Sequence, residues 1–224
     1  MSFDQPLPPF NASDPSASFL STSCLDLLMI ELVPMTYRVA NELDATSPES
    51  SMLETNGGGG NSGAPAVGND ASSVAATGTV GSRRLDEDEE RDAVFFRLEV
   101  LGYRVGLGLV ERFSRDRPRF NDTLDAIKFV CKDLWMLVFK KQVDNLKTNH
   151  RGVYVLTDNA FRPLSRMSTD PGGRAVIRAQ PFLWFPCGIV RGALAAMGIA
   201  ATVHAETSEL PGAVFQIKTM PLKQ

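Results

Sequence analysis

Apolar residues recur every three or four positions over three stretches of the chain, and every second position near its end. The first stretch predicts a helix from about Cys24 to Leu43, with Leu25, Leu28 and Leu32 as its stripe. Ser23 stands at its cap and Asp26 three residues on, in the capping-box position. Pro34 removes one backbone donor inside it and predicts a kink. A second helix opens after the acidic run Asp86 to Glu90, where negative charge suits the positive end of the helix dipole, and ends near Arg115. Its stripe is Leu98, Leu101, Val105 and Leu109, with Gly102 and Gly106 one turn apart beside it. Glycine is a poor helix former, so the pair predicts a place where another backbone comes very close. A third helix follows Asn121 or Asp122, with Leu124, Ile127, Cys131, Leu134 and Val138 inward and Asp125, Lys128 and Lys132 outward.

The period then changes. Val153 to Leu156 and Phe161 to Ser165 read as a short hairpin with its turn at Asp158-Asn159. The loop Thr169 to Gly173 leads to a nearly continuous apolar run, Phe182 to Met197, too short for the roughly 20 residues a bilayer requires and read as a core helix. Two strands close the pattern, Ile199 to Ala205 and Val214 to Thr219, joined by a turn at Pro211-Gly212. The order α-α-α-β-β-α-β-β predicts an α+β fold of about four helices with a small antiparallel sheet on one side of the helical layer.

Residues 46–84 contain almost no large apolar side chain and include a run of four glycines, so they bury too little surface to offset the entropy of ordering. They are expected to be a disordered low-complexity insertion, and residues 1–22 a disordered tail. One domain remains, made of residues 23–45 and 85–220. A net charge of −3 without a long basic block argues against nucleic acid as a partner. The three cysteines, Cys24, Cys131 and Cys187, are far apart in apolar patterns and read as buried, reduced thiols of a cytosolic protein.

Catalytic chemistry is missing. His150 and His204 have no partner at metal-ligand spacing, and no CxxC or HxxxH exists, so neither metal nor cofactor is expected. Cys187 and Arg191 are one helical turn apart within a helix, which denies them the amide-lined loop of a phosphatase. Gly106-Leu-Gly108 lacks the third glycine and the preceding strand of a dinucleotide loop. Arg112, Arg115, Arg117 and Arg119 read as a solvated helix end. Arg191 is a lone charge in the apolar helix, with Gly188 and Gly192 near it, and must reach a carboxylate, carbonyls or water. It reads as a structural charge beside close helix packing, through Gly102, Gly106, Gly188 and Gly192.

Several strings carry a resemblance. Pro186-Cys-Gly-Ile-Val-Arg-Gly-Ala-Leu194 resembles the signature helix of the small-subunit superfamily of the TRAPP vesicle-tethering complex, and Gly102-Tyr-Arg-Val-Gly106 resembles its second element. Ile127 to Trp135, Phe139-Lys-Lys-Gln142 and Leu146 to Gly152 resemble the subunit-six branch more specifically. The resemblance covers about 24 to 44 and 94 to 220. It implies the α+β fold above and a non-catalytic scaffold paired with a subunit-three-like partner through the helical layer. It further implies contact with the other core subunits, an indirect role in nucleotide exchange on a Rab GTPase, and peripheral attachment to Golgi and ER-to-Golgi membranes. Some subunit-three members carry an acylated cysteine before the third helix; Arg117 stands at that position here, so acylation does not carry over.

On the apolar stripes themselves, Leu25, Leu28, Leu32, Leu98, Leu101, Val105 and Leu109 are the expected partner interface, and Gly102 and Gly106 leave room for a backbone from outside. The alternative is a module that binds an acyl chain or another small apolar ligand, which needs an open apolar channel in the helical layer.

Overall fold

A computed structural model describes residues 21–45, 86–115, 117–120, 122–149, 151–168 and 173–220. The insertion expected over 46–84 lies outside the described residues, as does the tail except Ser21 and Thr22, and so does His150.

Helix α1 spans Thr22–Ala45 with Pro34 inside it. It starts one residue before the expected cap. Ser21 takes that role: its carbonyl accepts from the Cys24 N–H at 3.0 Å and its Oγ from the Ser23 N–H at 3.3 Å. Asp26 is thereby free to reach another part of the molecule. Helix α2 spans Glu87–Phe113, and the Asp86 side chain accepts from the Glu87 N–H at 2.9 Å. Glu87, Asp88, Glu89 and Glu90 fill its first turn, where the dipole favours them.

Helix α3, Thr123–Phe129, passes through a five-residue π segment, Val130–Leu134, into α4, Trp135–Phe139. The wider π turn shifts the phase of the side chains. Ile127, Cys131 and Leu134 are buried as expected, but Phe129, Val130, Trp135 and Phe139 are buried too, while Leu124 and Val138 are only half-buried. A single 3.6-residue stripe therefore underestimates what this helix contributes to the core.

The sheet is antiparallel, in the order β1-β2-β4-β3, with β1 Asn145–Thr148, β2 Val153–Asp158, β3 Ala201–Glu206 and β4 Ala213–Thr219. The order of helices and strands is the expected one, but the first hairpin sits differently. The partner of Val153–Asp158 precedes it, with Leu146 opposite Leu156. Asn149 Oδ1 accepts from the Arg151 and Val153 N–H groups, and Gly152 takes φ 79° to close that turn. Residues Arg162–Leu164 form a 3₁₀ turn instead of a strand, since Pro163 cannot donate to a ladder. The apolar run likewise divides: α5 is Arg174–Ala179, a 3₁₀ turn covers Gln180–Leu183, and α6 is Trp184–Ala196.

The main core lies between the sheet and the α3–α4 and α6 helices, centred on Trp135, Phe139, Phe161 and Phe215. Their ring centroids are 4.6 to 5.9 Å apart, mostly tilted or edge-on, as aromatic quadrupoles prefer. Trp135 donates its indole N–H to the buried Asp158 carboxylate at 2.8 Å, and Lys141 meets the other oxygen at 2.6 Å. A smaller cluster, Leu32, Val33, Ala40, Val94, Leu98 and Trp184, joins α1, α2 and α6.

Candidate partner interface

Helix α2 has two working sides. On one, Val94, Leu98, Gly102, Gly106 and Val110 recur every four residues and are all buried. The glycines there meet backbone. A Cβ built on Gly102 would lie 2.1 Å from the Phe185 carbonyl oxygen, and one on Gly106 would lie 2.2 Å from that of Ile189. The relation is reciprocal: a Cβ on Gly188 would lie 2.1 Å from the Glu99 carbonyl oxygen, and one on Gly192 would lie 2.0 Å from that of Tyr103. No side chain fits at such separations. The close approach at Gly102 and Gly106 therefore comes from α6 of the same chain and leaves no room there for a backbone from outside.

Arg191 projects from the edge of this crossing. Both Glu99 carboxylate oxygens accept from its guanidinium, the Nη2–Oε2 contact at 2.6 Å, and the group lies 4.6 Å from the centre of the Tyr103 ring. The fork matches the carboxylate, and the aromatic face lowers the cost of partial desolvation.

The expected interface residues divide. Leu32 is buried and Leu98 is wholly buried in the smaller cluster, so both are core residues and present no surface to a partner. The reason is geometric: α1 crosses α2 where those residues meet Trp184, which a one-dimensional stripe does not reveal. Leu25 and Leu109 are half-buried, Leu109 against the main core. Leu28 is 59 % exposed, and Leu101 and Val105 are 38 % exposed each. Three residues beyond the sequence reading join them. Met35, Val39 and Leu43 are exposed and continue the spacing 28, 32, 35, 39, 43 along α1. That spacing runs straight through Pro34, but Leu32 within it is buried, so spacing alone does not mark the exposed row. Phe96 and Phe95 are exposed on α2 as well, with Phe95 edge-on to Trp184 at 5.5 Å.

Polar contacts hold α1 in place at both ends. Asn41 Nδ2, near the end of α1, donates to Glu90 in the first turn of α2 at 2.7 Å. Near the other end Asp26 accepts from Arg162 Nε and Nη2 at 2.8 and 2.9 Å. The hydrogen-bonded Arg162 guanidinium holds the Asp26 carboxyl below its ordinary value, against the opposing effect of burial.

Other candidate chemistry is inert in this setting. Cys24 is exposed, not buried as its sequence pattern suggested, because it lies in the first turn of α1, where Thr22 and Ser23 are exposed as well. Burial pushes the Cys131 thiol up to about 12 and the Cys187 thiol up as well, so both are poor nucleophiles. Arg117 donates to Asp133 at 2.5 Å and lies over the Phe129 ring. Among the described residues no three His, Cys, Asp or Glu side chains could hold a metal ion together, and no helix is long and apolar enough to cross a membrane. The cavity under α1, between Met29, Phe139 and Arg162, has a volume of about 20 Å³, room for one water, and a more open groove of about 320 Å³ lies between Arg117, Phe120, Lys128 and Phe129.

The structure is thus a glycine-locked helix pair on a small antiparallel sheet, with apolar side chains left open on its outer helices. Residues 25–220 match the family of transport protein particle (TRAPP) components, and the chain belongs to that family. Within it the chain resembles the subunit-six branch. It is 51 % identical to trafficking protein particle complex subunit 6b of Danio rerio over 138 residues, covering 62 % of this chain and 86 % of that one. Subunit 6B of Homo sapiens is 51 % identical over 126 residues, covering 56 % and 78 %. Subunit 6A of Homo sapiens is 48 % identical over 120 residues, covering 54 % and 74 %. Membership places the chain among the components of a vesicle-transport complex and not among enzymes.

Proposed function

We propose that this chain is a scaffold subunit that pairs, through α1 and α2, with a subunit-three-like TRAPP protein. The pair joins the other core subunits of a tethering and Rab-exchange assembly in transport to and within the Golgi. The chain serves the GTPase indirectly and reaches membranes peripherally, through the complex, from the cytoplasm. The observation that carries this reading is the row of exposed apolar side chains on a chain whose own core is already filled: Leu28, Met35, Val39 and Leu43 on α1, and Leu101 and Val105 on α2. Scattered single exposures are ordinary on a protein surface, but a helical row is the mark of a partner. Permanent complexes bury more such area than transient ones.

The test is co-expression of the full chain with a subunit-three-like protein, followed by size exclusion with light scattering. A stable one-to-one complex is expected, with the chain alone self-associating. A monodisperse monomer that ignores the partner would overturn the reading.

A further inference from the structure

Three glycines of α2 lie beyond its first half, and the chain itself accounts for two of them. Gly102 and Gly106 admit the backbone of α6. Gly108 is different: it is exposed, and a Cβ placed on it would meet nothing within 4 Å. It does not belong to the glycines with positive φ, so no turn requires it either. A glycine in the interior of a helix is unfavourable against alanine, and nothing among the described residues offsets that.

Its neighbours show what could. Leu101, Val105, Gly108 and Arg112 recur at four, three and four residues and share one side of α2, next to the side that faces α6. Leu101 and Val105 are partly exposed there. Arg97 and Arg104 edge the same strip, each within one turn of its members. Arg97, Arg104 and Arg112 are exposed and make no hydrogen bond or ion pair among the described residues, and Glu111 is a carboxylate next to Arg112 in the helix. The strip is thus apolar along its centre, free of bulk at one point, and bordered by unpaired positive charge.

We infer that Gly108 is the crossing point of a partner helix, one with an apolar stripe and acidic flanks, which lies over Leu101 and Val105 and comes closest to α2 at this glycine. The inference rests on the pairing proposed above and gives it a location and a charge. Helix axes can approach closely where one of them lacks a Cβ, as α6 already does at Gly102 and Gly106. Carboxylates on the partner would pair with Arg97, Arg104 and Arg112, which steers encounter and fixes register more than it adds affinity.

The experiment is isothermal titration of the full chain with a purified subunit-three-like TRAPP protein at low and high salt. Gly108→Ala is the central variant, because it leaves the fold intact: its methyl group meets only solvent in the isolated chain. It should raise or preserve the melting temperature of the chain alone, yet weaken pairing at least tenfold, with Gly108→Leu weaker still. Arg104→Glu combined with Arg112→Glu should also weaken pairing and flatten its salt dependence. Gly108→Ala binding within twofold of the unaltered chain, while Leu101→Asp abolishes binding, overturns the crossing point and leaves the pairing standing. Binding indifferent to salt and to the arginine changes overturns the acidic flanks. Failure of the unaltered chain to bind removes the pairing reading, and the crossing with it.

Discussion

The two sides of α2 are built from similar residues and behave in opposite ways. Toward α6, Gly102 and Gly106 follow one another along the buried face and the space is filled by backbone, so that Gly106 and Ile189 cannot move apart or closer without loss. One step around the same helix, Leu101 and Val105 stand partly in solvent and Gly108 faces open space. A glycine is costly in a helix on either side, at about 1 kcal/mol against alanine. On the α6 side the chain's own packing offsets that cost. On the other side nothing among the described residues does, and on the pairing proposed above the difference separates what folds the subunit from what it offers to a partner.

The largest expected effect lies on the packed side. Gly106→Ala places a methyl group where the Ile189 carbonyl oxygen would be 2.2 Å away, and both helices would have to separate. The chain should lose about 3 kcal/mol of stability or more. A denaturant midpoint unchanged from the parent would mean that the crossing is far looser than the geometry states.

Next come two leucines that the sequence places on equal footing. Leu98 is wholly buried and Leu28 is mostly exposed. Leu98→Ala should cost about 2–5 kcal/mol in urea unfolding of the chain. Leu28→Ala should change that unfolding free energy by less than about 0.5 kcal/mol while weakening complex formation. Equal effects on stability would erase the distinction between core and interface within these stripes.

The smallest effect concerns the anchor of α1. The Asp26 carboxyl is held below its ordinary value of 3.8 in the folded chain, chiefly by the hydrogen-bonded Arg162. The unfolded chain therefore binds a proton more readily than the folded one. The stabilisation is fully present above the unfolded value and is lost as pH falls through the folded value. Because Arg162 is partly exposed, it should amount to about 1 kcal/mol or less. Arg162→Ala should flatten the dependence of thermal stability on pH below about pH 4, leaving neutral pH little changed. A steeper acid dependence in the variant would show that Asp26 is not held by Arg162.

Much of this architecture is legible in the amino-acid sequence. Helical spacing located α1 and α2, and the four glycines with Arg191 marked the α2–α6 region. Which body approaches at those glycines was not legible, because spacing within one helix says nothing about whether its neighbour belongs to the same chain. The first hairpin was misplaced for a local reason: Asn145–Thr148 carries Lys147 and little apolar alternation, whereas Phe161–Leu164 looks strand-like until Pro163 is weighed. The π segment hid Phe129, Trp135 and Phe139 from a reading based on a constant 3.6-residue period. Leu32 and Leu98 were assigned to a surface that they do not reach, since burial depends on where α1 crosses α2.

The central claim is that the open side of α2, unlike its packed side, exists for a partner. Leu101→Asp together with Val105→Asp tests it most directly, because both residues are 38 % exposed and charge there is tolerable in the isolated chain but not beneath another helix. The measurement is pairing with a subunit-three-like TRAPP protein by size exclusion with light scattering, with helix content followed by circular dichroism in the same samples. The account predicts unchanged helix content and no complex. A variant that keeps its helix content and still forms the complex as the parent chain does would contradict it.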